Sequence, residues 1–180
     1  MGRLRGVMNA EQFKKEVLPV KDKLYRLALR MLREPADAQD AIQEVFLKIW
    51  RQGTALKKID NIEAWAMRVT KNHCLDRLRS RNRQTQALEP YQLDVDDRPS
   101  AQEQLEQGEA IGQLRELIGQ LPEKQKLVLQ LRDIEGMAYQ EIEEILDMPL
   151  GQVKTNLFRA RQKIRKLLLA VSKETNIHGR

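Results

Sequence analysis

Residues 135–165, EGMAYQEIEEILDMPLGQVKTNLFRARQKIR, constrain the fold more than any other stretch, because a breaker separates two helical apolar stripes. Ile142, Ile145 and Leu146 recur at the helical period and define one buried face. Asp147-Met148-Pro149 interrupts the pattern, since Pro149 lacks a backbone N–H and biases the residue before it away from helix. Val153, Leu157, Ala160 and Ile164 form a second stripe, with Lys154, Arg159, Arg161, Lys163 and Arg165 around it. Two short helices about a tight turn, the second cationic, make a helix-turn-helix suited to a DNA major groove. Two positions depart from the usual pattern of such units: Glu143 stands where a small residue is common, and Asp147 where glycine is. Aspartate tolerates left-handed backbone geometry better than most residues.

The remainder also reads as helix. Residues 11–33 carry Phe13, Val17, Leu24, Leu27, Ala28, Met31 and Leu32, with Pro19 expected to kink or divide the segment. Residues 36–51 place Ala38, Ala41, Ile42, Val45, Phe46, Ile49 and Trp50 on one stripe, and Pro35 is well placed to open the helix. Periodicity lapses over 52–61, a loop, and resumes over 62–82, whose polar side holds Arg68, Lys71, Arg77, Arg79 and Arg81, continued by Arg83. Helices near 110–119 and from Pro122 to about Asp133 precede the helix-turn-helix. Clusters of β-branched or aromatic residues are scarce, so the expected class is all-α.

Between these halves the chemistry changes. Residues 84–109 hold seven carboxylates (Glu89, Asp94, Asp96, Asp97, Glu103, Glu106 and Glu109) against Arg98, a local charge of −6, with breakers at Pro90 and Pro99. This segment reads as a flexible acidic linker between two small helical domains. Because the whole chain carries +6, the flanking parts together carry +12. Such a surplus, with a pI near 9.5, points to a polyanionic partner.

Other classes find little support. Cys74 is the single cysteine, so an internal disulfide is excluded and a reducing cytoplasm fits. No apolar run approaches the ~20 residues that span a bilayer, and direct membrane insertion is not expected. The N-terminus has no secretory h-region, and Met8 is a second candidate start. His73 and Cys74 lack partners at metal spacing and read as structural. With no metal cluster, nucleophile–base pair or phosphate-cradling glycine loop, the chain reads as no enzyme and calls for no cofactor or metal.

DAQDAIQEVFLKIW, then NIEAWAMRVTKNHCLDRLRSR, an acidic linker, and LPEKQKLVLQLRDIEGMAYQEIEEI followed by GQVKTNLFRARQKI together resemble the extracytoplasmic-function (group 4) sigma factors of the sigma-70 family. The resemblance runs from about residue 11 to residue 169 and rests on several motifs in order. It implies that residues 10–83 form sigma domain 2, 84–109 the linker and 110–170 sigma domain 4. It further implies binding to core RNA polymerase, through the clamp helices of the largest subunit and the flap of the second-largest, and recognition of promoter −10 and −35 elements. An anti-sigma factor, often membrane-bound in this family, is a further candidate partner.

Residue by residue, the resemblance assigns polymerase binding to Asp40, Gln43, Glu44, Phe46 and Trp50. An acidic face of Asp37, Asp40, Gln43 and Glu44 in a cationic protein independently suits a protein partner, since it would repel phosphate. The alternative is a solvated face, with the two aromatics in the core. The −10 element falls to Arg68, Lys71, Asn72, Arg77 and Arg79, with Lys57, Lys58, Asp60 and Asn61 shaping a base pocket in the preceding loop. For Arg77, Arg79 and Arg81 the alternative is a soluble basic helix end. The −35 element falls to Gln152, Lys154, Thr155, Asn156, Phe158 and Arg159. The linker's 26 residues reach up to ~86 Å at ~3.3 Å each, ample to join two promoter elements. A stand-alone operator-binding regulator is the competing reading, and it leaves the acidic helix face unexplained.

Overall fold

Prolines and caps set the helix boundaries of the computed structural model, which describes residues 10–53, 59–86 and 116–177. α1 (Ala10–Glu16) and α2 (Lys21–Leu32) are separated by a 3-10 turn, Leu18–Val20, so Pro19 divides the segment as expected. α3 (Pro35–Gln52) opens on Pro35 and stops at Gly53, whose combination of φ 55° with ψ −132° only glycine adopts at low cost. α4 (Ile62–Gln86) begins at Asn61, whose Oδ1 accepts the Ala64 N–H at 2.9 Å as an N-cap. It runs past residue 83, where the acidic segment was expected to start. Gln84, Thr85 and Gln86 carry no helix breaker, and the change in charge ahead of Pro90 is not itself a stop. The rest of the expected linker, the loop residues 54–58 and residues 1–9 lie outside the described residues.

The chain divides into two compact units. The first takes the described residues 10–86 together with Gln140–Met148; the second takes 116–139 and 149–177. Thus α6 (Tyr139–Leu146) groups largely with the first unit. A short amphipathic helix states in its sequence that Ile142 and Ile145 are buried, but not where their cover lies.

In the first unit α2, α3 and α4 share one apolar core. Leu24, Leu27, Ala28, Ala38, Ala41, Val45, Ile49, Ala66, Met67 and Cys74 all have 0% exposure. The run of buried alanines lets helix backbones approach closely, and each fully buried Leu or Ile adds about 1.5–3 kcal/mol. Buried Thr70 satisfies its hydroxyl on the Ala66 carbonyl at 2.9 Å. Lys23 pairs with Glu63 at 2.6 Å between α2 and α4. Phe13 of α1 meets Phe46 and Trp50 of α3 edge to face, with ring centroids 5.5 and 5.4 Å apart.

An imidazole also enters this core. His73 of α4 is 6% exposed; the Lys48 ammonium donates to its Nδ1 at 2.8 Å, which leaves the proton of the neutral ring on Nε2. Nε2 faces the Glu44 carboxylate at 3.5 Å, too far for a good hydrogen bond, and is otherwise unsatisfied. Burial lowers the His73 pKa below 6.5; Lys48 and Arg77 add to the shift, while Glu44 and Asp76 oppose it.

The second unit contains α5 (Glu123–Leu129), a π-helical turn (Gln130–Ile134) and α7 (Leu150–Ile177). The expected single helix from Pro122 to Asp133 therefore widens in its last turn. Gln130 donates to Glu135 at 2.7 Å, both buried, and the Glu135 N–H returns to the Gln130 carbonyl at 3.0 Å. An i,i+5 pair of this kind suits the wider turn. Arg161 of α7 forks onto Asp133 at 3.0 and 2.5 Å, and Lys163 donates to the Gln120 carbonyl at 2.7 Å. Between α6 and α7, Asp147 adopts φ 53°, the left-handed geometry its turn position demands.

Two expected outcomes follow. Burial pushes the Cys74 thiol up to about 12, so a disulfide-exchange reagent at pH 8 is expected to leave it unlabelled in native protein and to label it fully in denaturant. For His73, the unfolded chain binds a proton more readily than the folded one, so stability rises with pH until the unfolded ring is neutral. The urea midpoint is expected to be flat above about pH 7 and to fall as pH drops below about 6.5. His73→Gln is expected to flatten that fall, and an equal fall in the variant would assign it to other groups.

Candidate functional site

The apolar stripe of α3 faces the core and turns the opposite side outward. Asp40, Gln43 and Glu44 are exposed there, as the sequence led one to expect. Leu47 stands among them at 53% exposure, a member of this candidate face that the sequence reading passed over. Its signal was available, since position 47 falls off the stripe of 38, 41, 42, 45 and 49 on a helical wheel. Phe46 and Trp50 are half-buried in the cluster with Phe13, so they shape this face from its edge. Asp37 does not belong to the outward acidic face. Its carboxylate turns to α4, where Oδ1 takes Arg77 Nη2 at 2.9 Å and Oδ2 takes Arg81 Nη1 at 2.7 Å.

α4 sorts its cations by face. Arg68, Asn72, Arg79 and Arg83 are exposed and fall at i, i+4, i+11 and i+15, one stripe on the helix. Arg77 and Arg81 lie about half a turn around, on the side that packs against α3. Arg79 has Asp76 at 3.7 Å, an exposed i,i+3 pair that restrains it little. Lys71 was expected among the exposed cations but is 9% exposed, and burial lowers its pKa. Asn61 serves as the cap of α4, Asp60 is exposed beside it, and Lys57 and Lys58 lie outside the described residues.

In the second unit, Gln152, Lys154, Thr155, Phe158 and Arg159 are exposed on the first turns of α7, and Asn156 is half-buried. Val153, Leu157 and Ala160 are buried behind them. Thr155 Oγ1 donates to the Gly151 carbonyl and Asn156 Nδ2 to the Gln152 carbonyl, both at 2.8 Å. Both side chains are thus turned onto their own helix, and must rotate to reach a base edge. Phe158 is 62% exposed, and its sequence neighbour Arg159 is exposed as well. Among the described residues no cluster of His, Cys, Asp or Glu has metal-binding geometry, and no helix is long and apolar enough to cross a membrane.

Two family models match the chain: sigma-70 region 2 over residues 17–84, and sigma-70 region 4 over 111–164. Curated relatives agree. The chain is 33% identical to the ECF RNA polymerase sigma factor SigE of Mycolicibacterium smegmatis over 86% of its own length, spanning 60% of that protein. It is 30% identical to the ECF RNA polymerase sigma factor SigW of Bacillus subtilis, over 82% of this chain and 84% of that one. The RNA polymerase sigma-H factor of Pseudomonas aeruginosa is 28% identical over 88% and 86%. Among solved structures, the sigma factor RpoE of Bartonella quintana, in complex with the anti-sigma factor NepR, superposes with a TM-score of 0.74 at 22% identity, covering 88% of this chain and 98% of that one. CnrH, in complex with the cytosolic domain of CnrY, gives 0.63 at 23% identity, with 90% of each covered. A stand-alone regulator does not account for a match across both regions. The chain belongs to the extracytoplasmic-function sigma factors of the sigma-70 family, the non-enzymatic subunits that direct RNA polymerase to promoters and begin transcription.

Proposed function

We propose a division of this activity by residue: α3 engages core polymerase, α4 the −10 element, and the start of α7 the −35 element. Residues 10–83 act as sigma domain 2, 110–170 as sigma domain 4, and the acidic segment between them as the tether. The observation that carries the reading is the opposite chemistry of two packed helices. α3 turns out Asp40, Gln43, Glu44 and Leu47, while α4 turns out Arg68, Asn72 and Arg79. Carboxylates and an exposed leucine suit a protein surface and oppose phosphate. A stripe of arginines around an asparagine suits a melted strand, whose phosphates need cations and whose unpaired bases need a donor–acceptor group. On α7, Gln152, Lys154, Thr155 and Asn156 offer donors and acceptors to base edges, and Phe158 offers an apolar ring to a thymine methyl.

Within the polymerase-facing set, Phe46 and Trp50 are assigned to shaping and Asp40, Gln43 and Glu44 to direct contact. Within the −10 set, Arg68, Asn72 and Arg79 take direct contact, whereas buried Lys71 supplies local positive charge. The protein acts in the cytoplasm, where its polymerase and its reduced thiol belong. Two structural relatives are held by a second protein, and an anti-sigma partner covering these same surfaces is proposed for this chain.

The test is in vitro transcription with core bacterial RNA polymerase, this protein and a library of upstream fragments from its own genome. Transcripts are expected at discrete sites only when the protein is added, and aligned start sites give both promoter elements. Glu44→Lys is expected to lower affinity for core. Phe158→Ala and Arg159→Ala are expected to spare core binding and to weaken the −35 interaction by about 1–3 kcal/mol each. Duplex binding without core, and no initiation, would overturn the reading.

A further inference from the structure

α4 outruns the core that holds it. Its 25 residues extend about 37 Å at ~1.5 Å each, yet beyond Cys74 none of its described side chains is fully buried. Leu75, Arg77 and Leu78 are half-buried, and residues 79–83 are exposed. Hydrophobic packing therefore fixes the first half of the helix and loosens its hold toward the end, where Arg79 and Arg83 must continue the stripe begun by Arg68 and Asn72.

A carboxylate of α3 reaches that end. Asp37 lies in the first turn of α3, where the helix dipole favours an anion, and is 20% exposed. Its two oxygens take Arg77 at 2.9 Å and Arg81 at 2.7 Å, residues one helical turn apart on the packed side of α4. Two guanidinium groups converging on one anchor restrain both the distance of α4 from α3 and its rotation about its own axis. Arg79 lies between the two braced positions in sequence and projects on the far side.

We propose that Asp37 is a positioning residue for promoter binding: through Arg77 and Arg81 it fixes the rotational phase of the distal half of α4, so that Arg79 and Arg83 face the same strand as Arg68 and Asn72. The proposal rests on the assignment of α4 to the −10 element. It gives Arg77 a role on the opposite side of the helix from direct DNA contact. It also separates Asp37 in purpose from its neighbour Asp40, which faces outward on α3.

Electrostatics and positioning predict opposite signs for one substitution. Asp37→Asn removes a negative charge near the DNA surface, which by charge alone tightens binding. Loss of the brace weakens it, on the order of tenfold for one displaced charge-assisted phosphate contact. The measurement is the affinity of holoenzyme for a pre-melted fork carrying the −10 sequence recovered by the transcription experiment, with core affinity recorded alongside. The expected result is unchanged core affinity, weaker fork binding and recovery in Asp37→Glu. Equal or tighter fork binding by Asp37→Asn overturns the proposal.

Arg79→Gln separates the two failures. If it weakens fork binding while Asp37→Asn does not, the assignment of α4 stands and the brace falls; if neither has an effect, the assignment itself falls. Should Asp37→Asn fail to fold, Arg81→Gln, at a position 56% exposed, cuts one arm of the brace in the full chain without DNA. Amide exchange over residues 79–83 is then expected to rise on the order of tenfold, and unchanged exchange overturns the proposal.

Discussion

The burial of one side of α4 against α2 and α3 is the constraint from which the arrangement of this protein follows. Ala66, Met67, Thr70, His73 and Cys74 are sealed on that side, and the helix has no freedom to choose which arginines meet solvent. Once the core is set, Arg68, Asn72 and Arg79 emerge together, and Arg77 and Arg81 are directed at α3. Packing energy thereby performs a sorting that charge alone cannot, since all these cations are equivalent to a distant polyanion. Long-range attraction to a polyanion acts on all of them alike, and the phase of one helix decides which of them face outward.

The same packing keeps two incompatible surfaces apart. On the proposed division, the polymerase-facing surface carries exposed carboxylates and the promoter-facing surface is best without them. Putting the acids on α3 and the bases on α4 separates the two requirements across a shared core. The separation is incomplete where the helices meet: Glu44 faces His73, with Lys48 on the other ring nitrogen. The outer acidic face of α3 is thus linked to the interior of α4 through one neutral imidazole. Asp37 is the other crossing point, and there the acid is fully engaged with bases.

Much of this was legible in the chain because helices advertise themselves by period. The stripe over 36–51 gave α3 almost to the residue, Pro19 announced a division, and Asp147 stood where a left-handed turn needed a tolerant side chain. What the sequence concealed were choices made by tertiary contact. Lys71 reads as one more exposed cation and is buried, because its position on α4 lies toward the core margin. Arg77 and Arg79 look alike in a basic run, and only their angle around the helix assigns them to different sides. Leu47 was passed over because an exposed leucine is unremarkable until its neighbours are known to be Glu44 and Gln43. The π-helical turn at Gln130–Ile134 depends on a buried Gln130–Glu135 pair that no local propensity encodes.

Sulfur is the last point of interest. Cys74 is sealed within the first unit, and every methionine among the described residues is buried as well: Met67 at 0% exposure, Met137 at 3%, Met31 at 6% and Met148 at 8%. Thiol oxidation needs a thiolate within reach of solvent, and sulfoxide formation needs an accessible thioether. In its folded form the described part of this chain offers neither. The described part of the chain is therefore quiet toward peroxides and disulfides. An oxidative signal that reaches these helices has to come from outside their own sulfur atoms, delivered through binding.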